Sequence, residues 1–209
     1  MKIGIIGSGN VGGTLGKRWA KAGNTVVFSS RDPQSEEMKK LLSEAGSSAS
    51  AGSAEQAVKS GEVIVVATPW PATREALQSA GNFNGKVLID ATNPLKSDLS
   101  LDAGMTTSGA EQVAGWAAGA RVVKAFNTVG NNIMANPKFA EAPASLLYCG
   151  DDADAKKTAR ELISQLGFDA VDVGPLSQAR LLEPFAVLWI TMAVKYGYGR
   201  EIAFHFMKR

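Results

Sequence analysis

Residues 2–12 read KIGIIGSGNVG, a short apolar run followed at once by the pattern Gly-x-Gly-x-x-Gly. A helical segment then runs to about Ala22, and residues 25–28, TVVF, are typical of a second strand. A strand, a glycine turn, a helix and a strand within about thirty residues form a dinucleotide-binding fingerprint. In this pattern Gly7 permits the tight turn, Gly9 lets the backbone approach a pyrophosphate, and Gly12 lets the helix pack on the sheet. The free N–H groups at the helix start favour phosphate, although the same turn in an empty scaffold would bind nothing.

The tip of the second predicted strand, Ser29-Ser30-Arg31, distinguishes two kinds of dinucleotide. Enzymes that use NAD usually carry Asp or Glu here, about twenty residues past the glycines, to accept hydrogen bonds from the adenosine ribose. Hydroxyls and a guanidinium instead suit a 2′-phosphate, which a carboxylate would repel. We therefore predict NADP(H), with Ser30 and Arg31 at the 2′-phosphate. In the alternative, Arg31 is solvated and Asp32 binds the ribose, although Asp32 is also a candidate N-cap for a helix opening at Pro33.

The alternation of strands and helices predicts an α/β fold with a doubly wound, mostly parallel sheet of the Rossmann type. Further strands are predicted at 62–67, 86–90, 121–126, 146–149 and 168–173, with a short weak strand within 46–52. A chain of 209 residues allows one well-buried domain and a modest extension. We place the boundary at Gly174, so that residues 1–174 form an NADP-binding Rossmann domain. Residues 175–209 then form a small C-terminal extension that is helical to its end.

Composition excludes several classes of partner. A net charge of +2 and a pI near 8.6, with no run of Lys or Arg, argue against nucleic acid. The longest apolar run, Phe185–Val194, is too short to cross a bilayer, so we expect no membrane association. The single cysteine, Cys149, lies in an apolar run and is expected to be a buried structural thiol. A chain without a disulfide framework fits the reducing cytoplasm.

Three later strand tips share a pattern of small polar residues beside proline or glycine. They are Thr68-Pro69-Trp70, Thr92-Asn93-Pro94 and Asn127-Thr128-Val129-Gly130. Because ligands bind at the carboxyl ends of strands in open parallel sheets, these tips should gather at one site. Their uncharged hydrogen-bonding groups suit the amide and ring edge of a nicotinamide. Trp70 fits two roles equally, as a cover for the cofactor or as a residue packed in the core.

No side chain stands out as a catalytic acid or base. The only histidine, His205, lies near the C-terminus in an amphipathic stretch, and no His/Cys cluster suits a metal. The acidic run Asp151–Asp154 precedes a predicted helix and is expected to cap it. Lys124 lies within a strand, where its ammonium is expected to reach solvent or a partner. Hydride transfer to a second redox cofactor needs stacking and alignment rather than a base, so the absence favours a cofactor-to-cofactor reductase without catalytic side chains. In the alternative, a Lys or Tyr serves as the acid or base.

These motifs together resemble the NADPH:coenzyme F420 oxidoreductase family, which passes hydride between NADP(H) and a deazaflavin. The resemblance covers nearly the whole chain and rests on the glycine turn, Ser30-Arg31, Thr68-Pro69-Trp70, Lys124–Thr128, Cys149–Asp152 and Gly174–Arg180. It implies a pyrophosphate held by Ser8, Gly9, Asn10 and Val11, and a nicotinamide and acceptor face lined by Trp70 and the loop Asn127–Asn131. It also implies a deazaflavin pocket closed by Leu176 and Ser177, and a homodimer formed through the C-terminal helices.

Two loops depart from the pattern of that family. Residues 127–130 read NTVG where the deazaflavin enzymes carry His-Thr-Ile-Pro, and residues 91–94 read ATNP. Both loops are more similar to the cytosolic NADPH domain of the transmembrane metalloreductases, whose partner is a flavin. Three functions follow: hydride transfer between NADP(H) and coenzyme F420, an NADPH-dependent flavin or metal reductase, or a non-catalytic NADPH-sensing module.

Overall fold

The computed structural model describes all residues from 1 to 209. Its strands are β1 (Lys2–Ile6), β2 (Thr25–Ser29), β3 (Ala49–Gly52), β4 (Val63–Val66), β5 (Val87–Asp90), β6 (Arg121–Lys124), β7 (Ser145–Gly150) and β8 (Asp169–Asp172). Its helices are α1 (Asn10–Lys21), α2 (Glu36–Ala45), α3 (Ala54–Ser60), α4 (Trp70–Ser79), α5 (Gly109–Trp116), α6 (Asn131–Ala135), α7 (Ala153–Gln165) and α8 (Ala179–Val194), with a 3-10 turn at Leu176–Gln178 before α8.

The eight strands form one sheet in the order β3-β2-β1-β4-β5-β6-β7-β8. β1 to β6 pair in parallel, β7 runs antiparallel to β6, and β8 pairs in parallel with β7. The order reverses at β1, which pairs with β2 on one side and β4 on the other. This confirms the predicted Rossmann-type fold and places the carboxyl ends of six strands along one edge, where ligands bind in such sheets.

Alternation along the strands divides the core into two layers. Ile3 and Ile5 face a layer that contains Trp19 of α1, whereas Ile6 faces a second layer that contains Leu77 of α4. All four residues of β4 are buried, as expected of a strand covered by helices on both faces. The second layer also contains Leu182 of α8, so the C-terminal helix packs on the same core as the sheet.

The prediction that the extension is helical to its end is wrong beyond Val194. Gly197 and Gly199 each adopt φ of 73°, a left-handed conformation that ends a helix without strain for glycine. Residues 199–209 run back over the protein without helix. The indole N–H of Trp189 donates to the Ile202 carbonyl at 2.8 Å, and the Ser145 N–H donates to the Phe204 carbonyl at 2.9 Å. The tail is therefore tied to α8 and to the start of β7.

Two other local predictions need correction. The second helix begins at Glu36 rather than Pro33, because Ser35 is its N-cap and accepts from the Met38 N–H. Asp32 instead accepts from the Gln34 N–H at 3.0 Å in a local turn. The short helix α6 was not anticipated, since five residues are too few to show a helical period.

None of the eight helices combines the length and the apolar character that a bilayer crossing needs.

Candidate dinucleotide-binding site

A cavity of about 890 Å³ lies at the carboxyl ends of β1, β2, β3 and β4. Seven of the residues predicted to bind the cofactor line it, namely Gly7, Ser8, Gly9, Ser30, Arg31, Thr68 and Pro69. The rest of its wall comes from Ile6, Ser29, Asp32, Ser35, Ser53, Ala54, Ala67, Ala72, Glu75, Ala76 and Ser79. The cavity therefore opens beside the strand at which the sheet order reverses, the usual place for a ligand in this fold.

The glycine turn has the geometry that its sequence predicts. Gly7 has φ of 99°, and a Cβ there would lie 2.7 Å from the Ala67 carbonyl. A Cβ on Gly12 would overlap the Gly7 carbonyl oxygen, so the helix meets the turn with no room for a side chain. A Cβ on Gly9 would meet nothing within 4 Å. The first and third glycines are thus required by packing, whereas Gly9 borders open space in the cavity.

The N-terminus of α1 suits an anion. Gly9 is its N-cap, no side chain caps the helix, and its first turn contains no acidic residue. Four other helices, α2, α3, α5 and α7, have a Ser or Asp cap that accepts a backbone N–H. The first-turn residues Asn10, Val11 and Gly12 thus present backbone N–H groups beside the cavity, together with the positive end of the helix dipole. A pyrophosphate fits this arrangement.

The tip of β2 and the start of α2 supply hydroxyl groups, and Arg31 between them supplies an unpaired guanidinium. Ser29, Ser30 and Ser35 all line the cavity beside Arg31. Ser29 Oγ accepts from the Gly7 N–H at 3.2 Å, which ties this tip to the glycine turn. Arg31 is exposed and makes no ion pair or side-chain hydrogen bond, so its guanidinium is available to a ligand. A monoester phosphate fits this set of donors.

Trp70 lies outside the cavity. Its ring packs against Trp116 of α5 with centroids 5.3 Å apart and the planes tilted by 36°, and its indole N–H donates to Asp102 Oδ2 at 3.0 Å. These contacts anchor the ring against α5 and the loop after β5. The structure thus favours packing over a direct covering role for this side chain.

The loops after β5 and β6 are joined by two asparagines. Asn93 Nδ2 donates to the Asn127 carbonyl at 3.0 Å, and Asn127 Nδ2 donates to the Leu182 carbonyl at 3.0 Å. The preceding residue, Phe126, is buried at φ of 66°, a strained conformation that turns the chain sharply after β6. Asn127 is only 4% exposed, yet its Oδ1 has no hydrogen-bond partner. A buried acceptor without a donor is costly, so this atom is a candidate contact for an amide ligand.

The remaining predicted residues lie away from the cavity wall. Thr128 and Val129 are buried, and Asn131 Oδ1 accepts from Arg200 at 2.6 Å. Leu176 is buried against the second core layer, while Ser177 beside it is exposed on the 3-10 turn. The structure therefore brings together the predicted pyrophosphate and phosphate residues but spreads the predicted nicotinamide and acceptor residues over several loops.

A buried ionic network lies at the ends of β5 and β6, where the sequence indicated only a paired or solvated lysine. Lys124 Nζ lies 2.9 Å from Asp90 Oδ2, 3.0 Å from Glu183 Oε1 and 2.7 Å from the Thr92 carbonyl. All three charged side chains have zero exposure. Glu183 also accepts from the N–H groups of Gly109 and Ala110 at the start of α5. Burial opposes the charge on Lys124, but the two carboxylates outweigh it and raise the pKa of Lys124 above its ordinary value.

The sequence contains a weak signal for this network. Each of the three side chains is an isolated charge at or within an apolar run. Asp90 follows VLI, Lys124 follows VV, and Glu183 lies inside LLEPF. Such charges are seldom buried unless paired. Glu183 was missed because its partner is 59 residues away in the chain, and only the fold brings the two together.

Other candidate reactive groups are excluded from the site by their surroundings. Burial raises the pKa of Cys149 to about 12, so its thiol keeps its proton and is a poor nucleophile. His205 lies by the Pro143 carbonyl and Ser145, at the start of β7. Asp152 caps α7, as predicted, and no group of three His, Cys, Asp or Glu residues is placed to hold a metal.

Two alanine substitutions should separate the packing role of one glycine from the ligand role of another. Gly12→Ala forces a methyl against the Gly7 carbonyl, and overpacking of this kind costs about 1–3 kcal/mol, so the melting temperature should fall by several degrees. Gly9→Ala has open space and an ordinary φ of −72°, so it should leave the melting temperature unchanged but weaken dinucleotide binding. Thermal melts and titrations of both variants test this, and equal melting temperatures would contradict it.

Comparisons with known proteins identify the family of the chain. A family model described as NADP oxidoreductase coenzyme F420-dependent matches residues 2–94. The F420-dependent NADP reductase of Methanothermobacter thermautotrophicus is 31% identical over 210 residues, which cover 93% of this chain and 90% of that protein. A solved structure named as an F420-dependent NADP reductase from Arthrobacter sp. FB24 superposes with a TM-score of 0.91 at 29% identity, with both chains covered completely.

A second group of relatives is longer than this chain. Metalloreductase STEAP3 of Rattus norvegicus is 33% identical over 183 residues, 87% of this chain but only 36% of that protein. The chain thus spans about a third of the metalloreductase and nearly the whole of the archaeal reductase. From the identity and coverage shared with the archaeal reductase, the chain belongs to the family of coenzyme F420-dependent NADP oxidoreductases.

Proposed function

We propose that this protein transfers a hydride between NADP(H) and coenzyme F420. The balanced reaction is NADPH + F420 + H⁺ ⇌ NADP⁺ + reduced F420, in which the hydride carries both electrons and the proton comes from solvent. The observation that carries the proposal is the pairing of an uncapped helix start with the Ser30-Arg31 tip in one cavity. That pairing fits a dinucleotide with a 2′-phosphate. The deazaflavin is taken from the archaeal relatives, whose length the chain covers almost fully.

The proposed cofactor contacts run along the strand tips. The pyrophosphate lies on the backbone of residues 7–12, and the 2′-phosphate lies on Ser30 and Arg31. Thr68 and Pro69 border the path towards the nicotinamide, whose carboxamide donates to Asn127 Oδ1, the buried acceptor without a partner. Asn93 holds Asn127 in position for that contact. On the side away from the cofactor, these loops are supported by Trp70, Thr128, Val129 and Asn131.

The rest of the proposed assignment concerns the acceptor. Leu176 and Ser177 close the deazaflavin pocket at the start of the C-terminal extension, residues 175–209, beyond the NADP-binding domain of residues 1–174. No side chain acts as a general base, because direct hydride transfer between stacked rings requires none. Lys124 cannot supply a proton, since its three N–H bonds already point to buried acceptors.

A flavin or metal reductase is the second candidate, and the 33% identity to STEAP3 favours it. A non-catalytic NADPH sensor would use the same cavity. Mixing the protein with NADPH and then with F420, FMN or FAD separates the three, with NADPH oxidation followed by absorbance. We expect F420 to be reduced fastest. Faster reduction of FMN or FAD would establish the flavin reductase, and NADPH binding without turnover of any acceptor would establish the sensor.

We also propose a cytoplasmic homodimer joined through α8. This helix leaves Leu181 and Leu188 exposed by 62% and 50%, and Val194 at its end by 63%. Leu181 and Leu188 are seven residues apart and so share one face of the helix, and exposed apolar side chains on one face can mark an association site. Light scattering at micromolar concentration should give twice the 21.9 kDa mass of the chain, and a monomer mass would contradict the dimer.

A further inference from the structure

One wall of the cavity contains side chains that do not suit a phosphate. α4 contributes Ala72, Glu75, Ala76 and Ser79, which are spaced by three and four residues and so share one face of the helix. Three of these side chains are small, and the fourth is a carboxylate. Glu75 is exposed and makes no ion pair or side-chain hydrogen bond. Its oxygens are therefore available to a ligand.

The proposed position of the cofactor determines which part of the dinucleotide lies against this wall. The pyrophosphate is held at the start of α1 and the 2′-phosphate at Arg31, so the adenosine ribose lies between β1 and β2. The nicotinamide extends the other way, towards the ends of β5 and β6. The adenine base must then lie against the remaining part of the cavity lining. This part consists of the α4 face and of Ser53 and Ala54 at the end of β3.

The α4 wall matches adenine in shape and in hydrogen bonding. Ala72 and Ala76 offer a flat apolar surface on which an aromatic base can lie. A carboxylate accepts hydrogen bonds and donates none. The only exocyclic donor of adenine is its 6-amino group, whereas hypoxanthine presents a carbonyl oxygen at the same position. A Glu75 carboxylate that faces C6 would therefore accept a hydrogen bond from adenine, whereas in hypoxanthine it would meet a carbonyl oxygen and the nearest donor would be the ring N1–H.

We propose that Glu75 binds the 6-amino group of the adenine and makes the site selective for adenine over 6-oxopurine dinucleotides. The inference rests on the proposed function, since it takes NADP(H) as the ligand. Asp32, the other carboxylate on the cavity wall, lies beside Arg31 and accepts from the Gln34 N–H, so it belongs to the phosphate end. Discrimination against a base that leaves a polar site group unpaired is typically large, and we expect at least about tenfold here.

The test compares NADPH with its hypoxanthine analogue, in which a carbonyl replaces the 6-amino group. Both carry the same dihydronicotinamide, so its fluorescence reports binding of either one. The wild-type protein should bind NADPH at least about tenfold more tightly. Glu75→Gln should bring the ratio of the two dissociation constants near one, because an amide can accept from the amino group or donate to the carbonyl.

The matched control is Glu55→Gln, which removes the same charge from the first turn of α3, outside the cavity lining. It should keep the wild-type ratio. A ratio that Glu75→Gln leaves unchanged, or a Glu75→Gln variant that weakens both ligands equally, would overturn the assignment to the base. Failure of the wild-type protein to bind NADPH at all would instead overturn the proposed function, so the two failures are distinguishable.

Discussion

Arg31→Ala should raise the dissociation constant for NADPH at least tenfold and leave that for NADH almost unchanged. The guanidinium is exposed on the cavity wall with no protein partner, so it gives up no ion pair when it binds a phosphate. A hydrogen bond to a charged group contributes about 1.5–3 kcal/mol, which corresponds to about ten- to a hundredfold in affinity. NADH has no 2′-phosphate and so gains nothing from this side chain.

The control for Arg31→Ala is Arg74→Ala. Arg74 is an exposed arginine on α4 that lies 6.0 Å from the centre of the Trp116 ring and does not line the cavity. Removing it changes the net charge equally, so any general effect on an anionic ligand appears in both variants. Added salt should narrow the gap between the wild type and Arg31→Ala, because salt screens exposed charges. Wild-type protein that binds NADH as tightly as NADPH would contradict the prediction.

The geometry of the glycine turn and of the β2 tip, at the proposed phosphate end of the site, is predictable because its information is local. Gly7, Gly9 and Gly12 lie within six residues. Gly7 has a positive φ, a Cβ on Gly12 would overlap the Gly7 carbonyl oxygen, and Gly9 borders open space in the cavity. The Ser30-Arg31 tip follows one strand later, at a distance that the strand and helix between them determine. Short chain segments decide the geometry of the turn, and its binding of phosphate stays a prediction.

The nicotinamide end could not be predicted in the same way, since long-range contacts decide it. Trp70 has two roles equally open to it in sequence, and its contacts to Asp102 and Trp116 exist only after α5 has packed against α4. Asn127 is held by the Leu182 carbonyl, 55 residues away. The path of the C-terminal tail depends on distant partners in the same way, because Trp189 binds the Ile202 carbonyl and the Ser145 N–H binds the Phe204 carbonyl. Loop positions that depend on partners so distant leave no periodic pattern in the sequence.

Lys124→Met should cause the largest loss of stability of any single substitution discussed for this protein. The variant leaves Asp90 and Glu183 buried without their counter-charge, and breaking a buried pair in this way costs about 3–5 kcal/mol. For a domain of this size each kcal/mol shifts the melting temperature by about 2–4 °C, so the fall should be about 6–20 °C. Differential scanning calorimetry measures it directly.

The matched control is Lys39→Met, which removes an exposed lysine paired with Glu36 on the surface of α2. Surface pairs contribute little, because water already solvates both charges, and this variant should melt close to the wild type. If Lys124→Met melts no lower than Lys39→Met, the two carboxylates must be stabilised without the lysine. The N–H groups at the start of α5 would then stabilise the charge on Glu183, and the N–H and hydroxyl of Thr92 would stabilise the charge on Asp90. A large difference would instead show that the charge on Lys124 holds α8 against the ends of β5 and β6, behind the loop that carries Asn127.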